Sequence, residues 1–147
     1  ELEPLKQMAI DLGIAKQVKF WGLLPRAEVL QKLSQSSVFV HPSLHDSGGW
    51  VCLEAMAAGR PVICLDLGGP AVQVTAATGI KVPAASPELA VSGLAQAMVR
   101  LASDKQLRSD LGRSGQLRVR EYYSWEVKGK QLAQIYQELV IDPPQHH

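Results

Sequence analysis

The sequence predicts an α/β fold: a Rossmann-like parallel sheet with flanking helices and a helical C-terminal third. Three observations carry that expectation. Short β-branched and aromatic runs, such as Val38-Phe39-Val40 and Pro61-Val62-Ile63-Cys64-Leu65, alternate with segments of helical period. Glycine or proline closes each run, at Gly22, Pro42 and Gly68-Gly69-Pro70. The length of 147 residues is that of one ordinary domain with a single core. A composition of 46% hydrophobic and 20% charged residues excludes a disordered or fibrous chain.

From the start, Leu2, Leu5, Met8, Ala9 and Leu12 recur at helical spacing, and Gly13 stops the helix. Val18-Lys19-Phe20-Trp21-Gly22 reads as a short strand. Pro25 opens a second helix with Val29, Leu30 and Leu33 on one face, and Ser36-Ser37 ends it. Val38-Phe39-Val40 has the content of a buried strand that stops at Pro42. A polar loop, Leu44-His45-Asp46-Ser47-Gly48-Gly49, leads to a helix from Val51 to Ala57 that ends at Gly59. Pro61 to Leu65 is the next buried strand, with Gly68-Gly69-Pro70 as its turn, and Thr78 to Pro83 is a weaker fourth.

The last third reads as helical. Ser86-Pro87 is a cap followed by proline, with Leu89, Gly93, Leu94, Ala97 and Leu101 as the apolar stripe. Ser103 and Gln106 fit a capping box for the next helix. Ser124 caps a final helix through Leu132, Ile135, Tyr136 and Leu139. The chain opens on Glu1 inside a helical pattern and closes on His146-His147, so it reads as a piece of something longer. Residues 1–142 are assigned to the partial domain and 143–147 to a tail, either native or a tag remnant.

In open α/β sheets, ligands bind beyond the carboxyl ends of the strands. Two glycine-containing loops leave strands at that edge: His41 to Gly49 and Asp66 to Pro70. Gly48, Gly49, Trp50 and Val51 fall where the next helix begins, and helix N-terminal amides suit a phosphate. Asp46 in the loop and Glu54 one turn into the helix can face the same crevice. Carboxylates repel phosphate, so their natural partners are hydroxyls, as on a sugar and a ribose joined by a diphosphate. The plainer reading makes Asp46 an Asx or N-cap residue and Glu54 a solvated helix charge.

The ordered stretches Val38 to Ser43, Asp46 to Gly59 and Pro61 to Ile63 resemble the GT-B glycosyltransferases of family 4. The likeness extends to Val18–Gly22, Gly68-Gly69-Pro70, Thr78-Gly79 and Tyr123-Ser124-Trp125, nearly the whole chain in order. The resemblance implies the C-terminal, donor-binding part of a retaining, metal-independent enzyme that transfers a sugar from a nucleotide-sugar. That family carries two glutamates separated by seven residues, and Asp46 and Glu54 take those positions. By the resemblance Glu54 accepts hydrogen bonds from ribose hydroxyls. Asp46, as the catalytic residue, and the amides of Ser47, Gly48 and Gly49 contact the transferred sugar and nearby phosphate. Amides around Trp50 and Val51 cradle the diphosphate. Two departures stand out: aspartate in the first position, and glycine where an aromatic is common. The resemblance also implies that the cationic loop, the first two strands and the acceptor-binding N-terminal domain lie outside the chain. The isolated chain is then expected to be inactive and to self-associate through open strand edges.

Other readings weigh less. Pro42 between His41 and His45 excludes a helical metal pair, and no metal or cofactor is expected; the nucleotide-sugar is a substrate. Cys52 and Cys64 have neither metal nor redox spacing and read as buried apolar residues of a reduced, cytoplasmic protein. A net charge of +1 does not call for a nucleic-acid partner. The basic run Arg100, Lys105, Arg108, Arg113, Arg118 and Arg120 reads first as a solvated helix face. Its second reading is a weak peripheral contact with the inner face of a membrane. The competing function is a non-transferase module that binds a nucleotide or phosphosugar.

Overall fold

The computed structural model describes residues 2–141. In chain order the elements are α1 (Leu2–Asp11), α2 (Arg26–Gln35), β1 (Phe39–His41), α3 (Trp50–Ala57), β2 (Val62–Leu65) and α4 (Gly68–Gln73). They continue as β3 (Gly79–Val82), α5 (Pro87–Ser103), α6 (Lys105–Arg118), a π-helical turn over Val119–Tyr123, and α7 (Trp125–Ile141). The three strands form one parallel sheet in the order β1-β2-β3, with Phe39 opposite Val62 and Val62 opposite Gly79.

Strand periodicity explains why β2 is apolar throughout. Val62 and Cys64 point into a cluster with Leu33, Cys52, Leu53, Met56 and Val74. Ile63 and Leu65 point to the opposite face, against Val82, Ala90, Ala97, Leu101 and Leu111. All four residues of β2 are buried, as a central parallel strand covered on both faces requires. The sheet is therefore sandwiched between α2 and α3 on one side and α5 and α6 on the other. Cys52 and Cys64 are free and buried, and desolvation raises their thiols to about 12 and about 11 respectively. They behave as core residues with inert thiols.

Four sequence expectations need correction. Val18–Gly22 forms no strand; no neighbouring strand lies beside it among the described residues, so its amides and carbonyls have no ladder to join. Gly68-Gly69-Pro70 is not a simple turn but the start of the short helix α4, where proline is tolerated because first-turn amides need no partner. The α5 stripe holds at Gly93, Leu94, Ala97 and Leu101 but not at its first residue: Leu89 is 62% exposed and Ala90 is buried instead. Helix α6 is capped by Asp104, whose Oδ1 accepts from the Leu107 amide at 2.8 Å. Ser103 remains in α5 and its hydroxyl donates back to the Val99 carbonyl at 3.0 Å.

Other elements match the reading. Ser86 caps α5 by accepting from the Leu89 amide, and the Ser124 hydroxyl accepts from the Val127 amide at the start of α7. The apolar stripes of α1 and α7 are present but uncovered among the described residues; of the α1 stripe only Ala9 is buried. No helix among the described residues is long and apolar enough to cross a membrane. The tail 143–147 lies outside the described residues.

Candidate functional site

Because the strands are parallel, the loops after β1 and β2 emerge at the same edge of the sheet. The structure presses these two loops together. The Gly69 amide donates to the Asp46 carbonyl at 2.9 Å. A Cβ at residue 69 would lie 2.5 Å from the Ser47 carbonyl oxygen, so only glycine permits this approach of backbone to backbone.

Asp46 closes the first loop on itself. Its Oδ1 accepts from the amides of Gly48 (3.0 Å) and Gly49 (2.7 Å), and its Oδ2 is 2.9 Å from His41 Nε2. The Gly49 amide holds the carboxyl below its ordinary value of 3.8, with smaller contributions in the same direction from His41 and the Gly48 amide. The Gly48 and Gly49 amides, expected to face a ligand, are thus turned inward, because an aspartate two and three residues earlier is the nearest acceptor. The first amides of α3 differ: Cys52 and Leu53 donate to the Gly49 carbonyl, whereas Trp50 and Val51 have no acceptor among the described residues. These two donors carry the anion-binding character of the helix start. Trp50 is 67% exposed beside them.

The linkage of Asp46 has a definite sign. A carboxyl whose folded pKa is depressed stabilises the loop above the ordinary value of 3.8 and loses that contribution as pH falls through the folded pKa. Hydrogen exchange is the measurement: Gly48 and Gly49 amide protection should stay constant down to about pH 3.8 and fall away progressively below it. Collapse well above it would show that Asp46 does not hold the loop.

Glu54 sits one turn into α3 with its side chain 23% exposed, and its Oε1 is 2.7 Å from Arg26 Nη2 at the start of α2. Arg26 is 75% exposed, so this ion pair adds little stability, and it engages only one of the two carboxylate oxygens of Glu54. On the second loop, Asp66 pairs with Lys81 of β3 at 3.1 Å.

Sequence reasoning missed the support beneath the loops. Gln73, 7% exposed at the end of α4, donates through Nε2 to the Gly48 carbonyl at 2.6 Å. Its Oε1 has no partner among the described residues and rests where a Gly49 Cβ would project; Gly49 also has a φ of +59°. Arg118 Nε in turn donates to the Gln73 carbonyl at 2.8 Å. The available signal was a polar residue set between Val72 and Val74. Gln73→Met keeps the volume but leaves the Gly48 carbonyl without its donor, a loss of about 1–3 kcal/mol. Urea unfolding measures it, and an unchanged midpoint would mean that the Gln73 carboxamide does not anchor the loop.

Asp46, Ser47, Gly48, Gly49, Trp50, Val51 and Glu54 therefore lie around one start of a helix at the carboxyl edge of the sheet. The family model for Glycosyl transferases group 1 matches residues 1–118. The chain belongs to that family. A GDP-mannose-dependent monoacylated alpha-(1-6)-phosphatidylinositol monomannoside mannosyltransferase from Corynebacterium glutamicum is 32% identical over 90% of this chain and 35% of its own length. Among solved structures, sucrose-phosphate synthase from Thermosynechococcus elongatus superposes with a TM-score of 0.80 at 29% identity. That match covers 95% of this chain and 34% of the synthase. The Anabaena HepE protein in complex with UDP-glucose gives 0.74 at 26% identity, over 94% of this chain and 37% of that one. The chain thus spans about a third of the length of the relatives it matches. Its fold matches that of GT-B glycosyltransferases, and the glycine loops and the start of α3 lie within the residues that the family model matches.

Proposed function

We propose that this group 1 chain is the donor-binding part of a retaining, metal-independent transferase that moves a sugar from a nucleotide-sugar to an acceptor held by another part of the protein. The observation that carries the reading is the start of α3. Trp50 and Val51, whose amides have no acceptor among the described residues, open α3 next to two interlocked glycine loops, and the carboxylate Glu54 follows one turn later. In the proposed reaction the bond from the anomeric carbon to the diphosphate breaks, and the leaving diphosphate takes the electron pair. The two amides stabilise that charge, and the dipole of α3 adds to them. Glu54 accepts from the ribose hydroxyls through Oε2. Asp46 holds the loop, and the remaining lone pair of its Oδ2 is free for a sugar hydroxyl.

UDP-glucose in the HepE structure and the GDP-mannose dependence named for the mannosyltransferase make these two the first donors to test. We place the protein in the cytoplasm, a reading supported by two free, buried cysteines. The experiment incubates each donor with this chain and with a form extended to the length of its relatives. Transfer by the long form alone is the expected result. Multiple-turnover transfer by the 147-residue chain would overturn the assignment to a donor-binding part.

A further inference from the structure

The opposite edge of the sheet carries a different chemistry. There the turn entering β2 faces one side of α6 across a groove of about 400 Å³. Arg60 comes from the turn, and Lys105, Arg108, Ser109, Arg113 and Gln116 come from α6. Along α6 these five residues are spaced as i, i+3, i+4, i+8 and i+11, which puts the helix contribution on one face. Four cations line the groove, and no aspartate or glutamate lines it. The basic run seen in sequence is therefore not one face. Arg118 turns away to the Gln73 carbonyl, Arg100 lines other cavities and Arg120 lies beyond α6 in the π-helical turn, while Arg60, remote in sequence, joins Lys105, Arg108 and Arg113.

Two of the four cations are fixed and two are uncommitted. Arg60 donates to the Ala58 and Ser36 carbonyls at 2.9 and 2.7 Å. Arg108 donates to the last carbonyls of α5, those of Leu101 and Ala102. Lys105 and Arg113 have neither an ion-pair nor a hydrogen-bond partner among the described residues. The walls are rigid, since Gly112 packs so closely on the Gly59 carbonyl that a Cβ would collide with it. Four like charges held around one concavity without a counter-charge repel one another, and an anion relieves that repulsion.

We propose that this groove is a second binding site, taking a phosphate-bearing polyanion and separate from the donor crevice. Guanidinium groups already held by backbone carbonyls present their remaining N–H groups to phosphate oxygens with little loss of freedom. Lys105 and Arg113 supply the mobile charges. The concavity suits a chain of two or three phosphates or the phosphorylated headgroup of a lipid.

The test uses inorganic tripolyphosphate by calorimetry at low ionic strength, and co-sedimentation with vesicles of equal parts phosphatidylcholine and phosphatidylglycerol. Lys105→Gln with Arg113→Gln removes the two exposed, unpartnered cations and should leave the fold intact. Binding of tripolyphosphate by the parent chain, weakened at least about tenfold in the double variant, supports the site and a small phosphorylated ligand. Binding of vesicles alone, lost in the double variant, supports the site with a lipid headgroup as its ligand. The same charge change elsewhere, Arg100→Gln with Arg120→Gln, should leave either result unchanged. The proposal is overturned if neither probe binds, if the groove variant binds as well as the parent, or if the control variant weakens binding equally. Titration of UDP-glucose into the groove variant reads the donor crevice independently.

Discussion

Replacing Glu54 by alanine is expected to weaken nucleotide-sugar binding at least about tenfold. Hydrogen bonds to a charged group contribute about 1.5–3 kcal/mol each, and about 1.4 kcal/mol corresponds to a factor of ten. Glu54 is suited to the role because Arg26 engages only its Oε1, which leaves the second carboxylate oxygen for a ligand. The ion pair supplies the control. With Arg26 at 75% exposed, Arg26→Ala should change stability by less than about 1 kcal/mol and donor affinity far less than Glu54→Ala does. Calorimetry with UDP-glucose and GDP-mannose on both variants separates the two contributions. Equal losses would show that Glu54 acts through Arg26, and no loss at Glu54→Ala in a folded protein would remove the ribose contact.

The second large effect is expected at Gly69→Ala. A single added methyl would sit 2.5 Å from the Ser47 carbonyl oxygen and 2.9 Å from the Gly48 carbonyl carbon. Neither contact is the end of a flexible side chain, so the loops themselves must part. Their separation breaks the Gly69 amide bond to the Asp46 carbonyl and pulls Gly48 from Gln73. Overpacking of this kind costs about 1–3 kcal/mol, and the displaced start of α3 should bind donor poorly as well. Urea unfolding and donor titration measure the two losses. A Gly69→Ala protein that matches the parent in both would show that the loops are not interlocked.

The sheet was legible because its strands are short apolar runs bounded by glycine and proline, and β2 alternates its four residues between two covered faces. Val18–Gly22 has the same local character but no strand beside it among the described residues, so local propensity alone could not decide its state. The helix starts at Ser86 and Ser124 were readable from local cap chemistry. At the α5–α6 junction the cap fell one residue later, because two adjacent residues, Ser103 and Asp104, both qualify. The position of Asp46 and Glu54 around one helix start followed from spacing. What Asp46 bonds did not, since the same residue serves as an Asx cap or a ligand contact depending on which acceptor lies nearest to two amides. Gln73, Arg118 and the grouping of Arg60 with α6 depend on contacts between residues tens of positions apart, and no local pattern encodes them.

The most direct test of the donor crevice is an amide NMR titration of the chain with UDP-glucose, and with GDP-mannose in a parallel sample. Perturbations are expected to concentrate at Asp46 to Glu54 and Asp66 to Pro70, with the Trp50 and Val51 amides moving most. Absence of change there at saturating donor, or perturbation confined to Arg60 and α6, would contradict the proposed donor crevice.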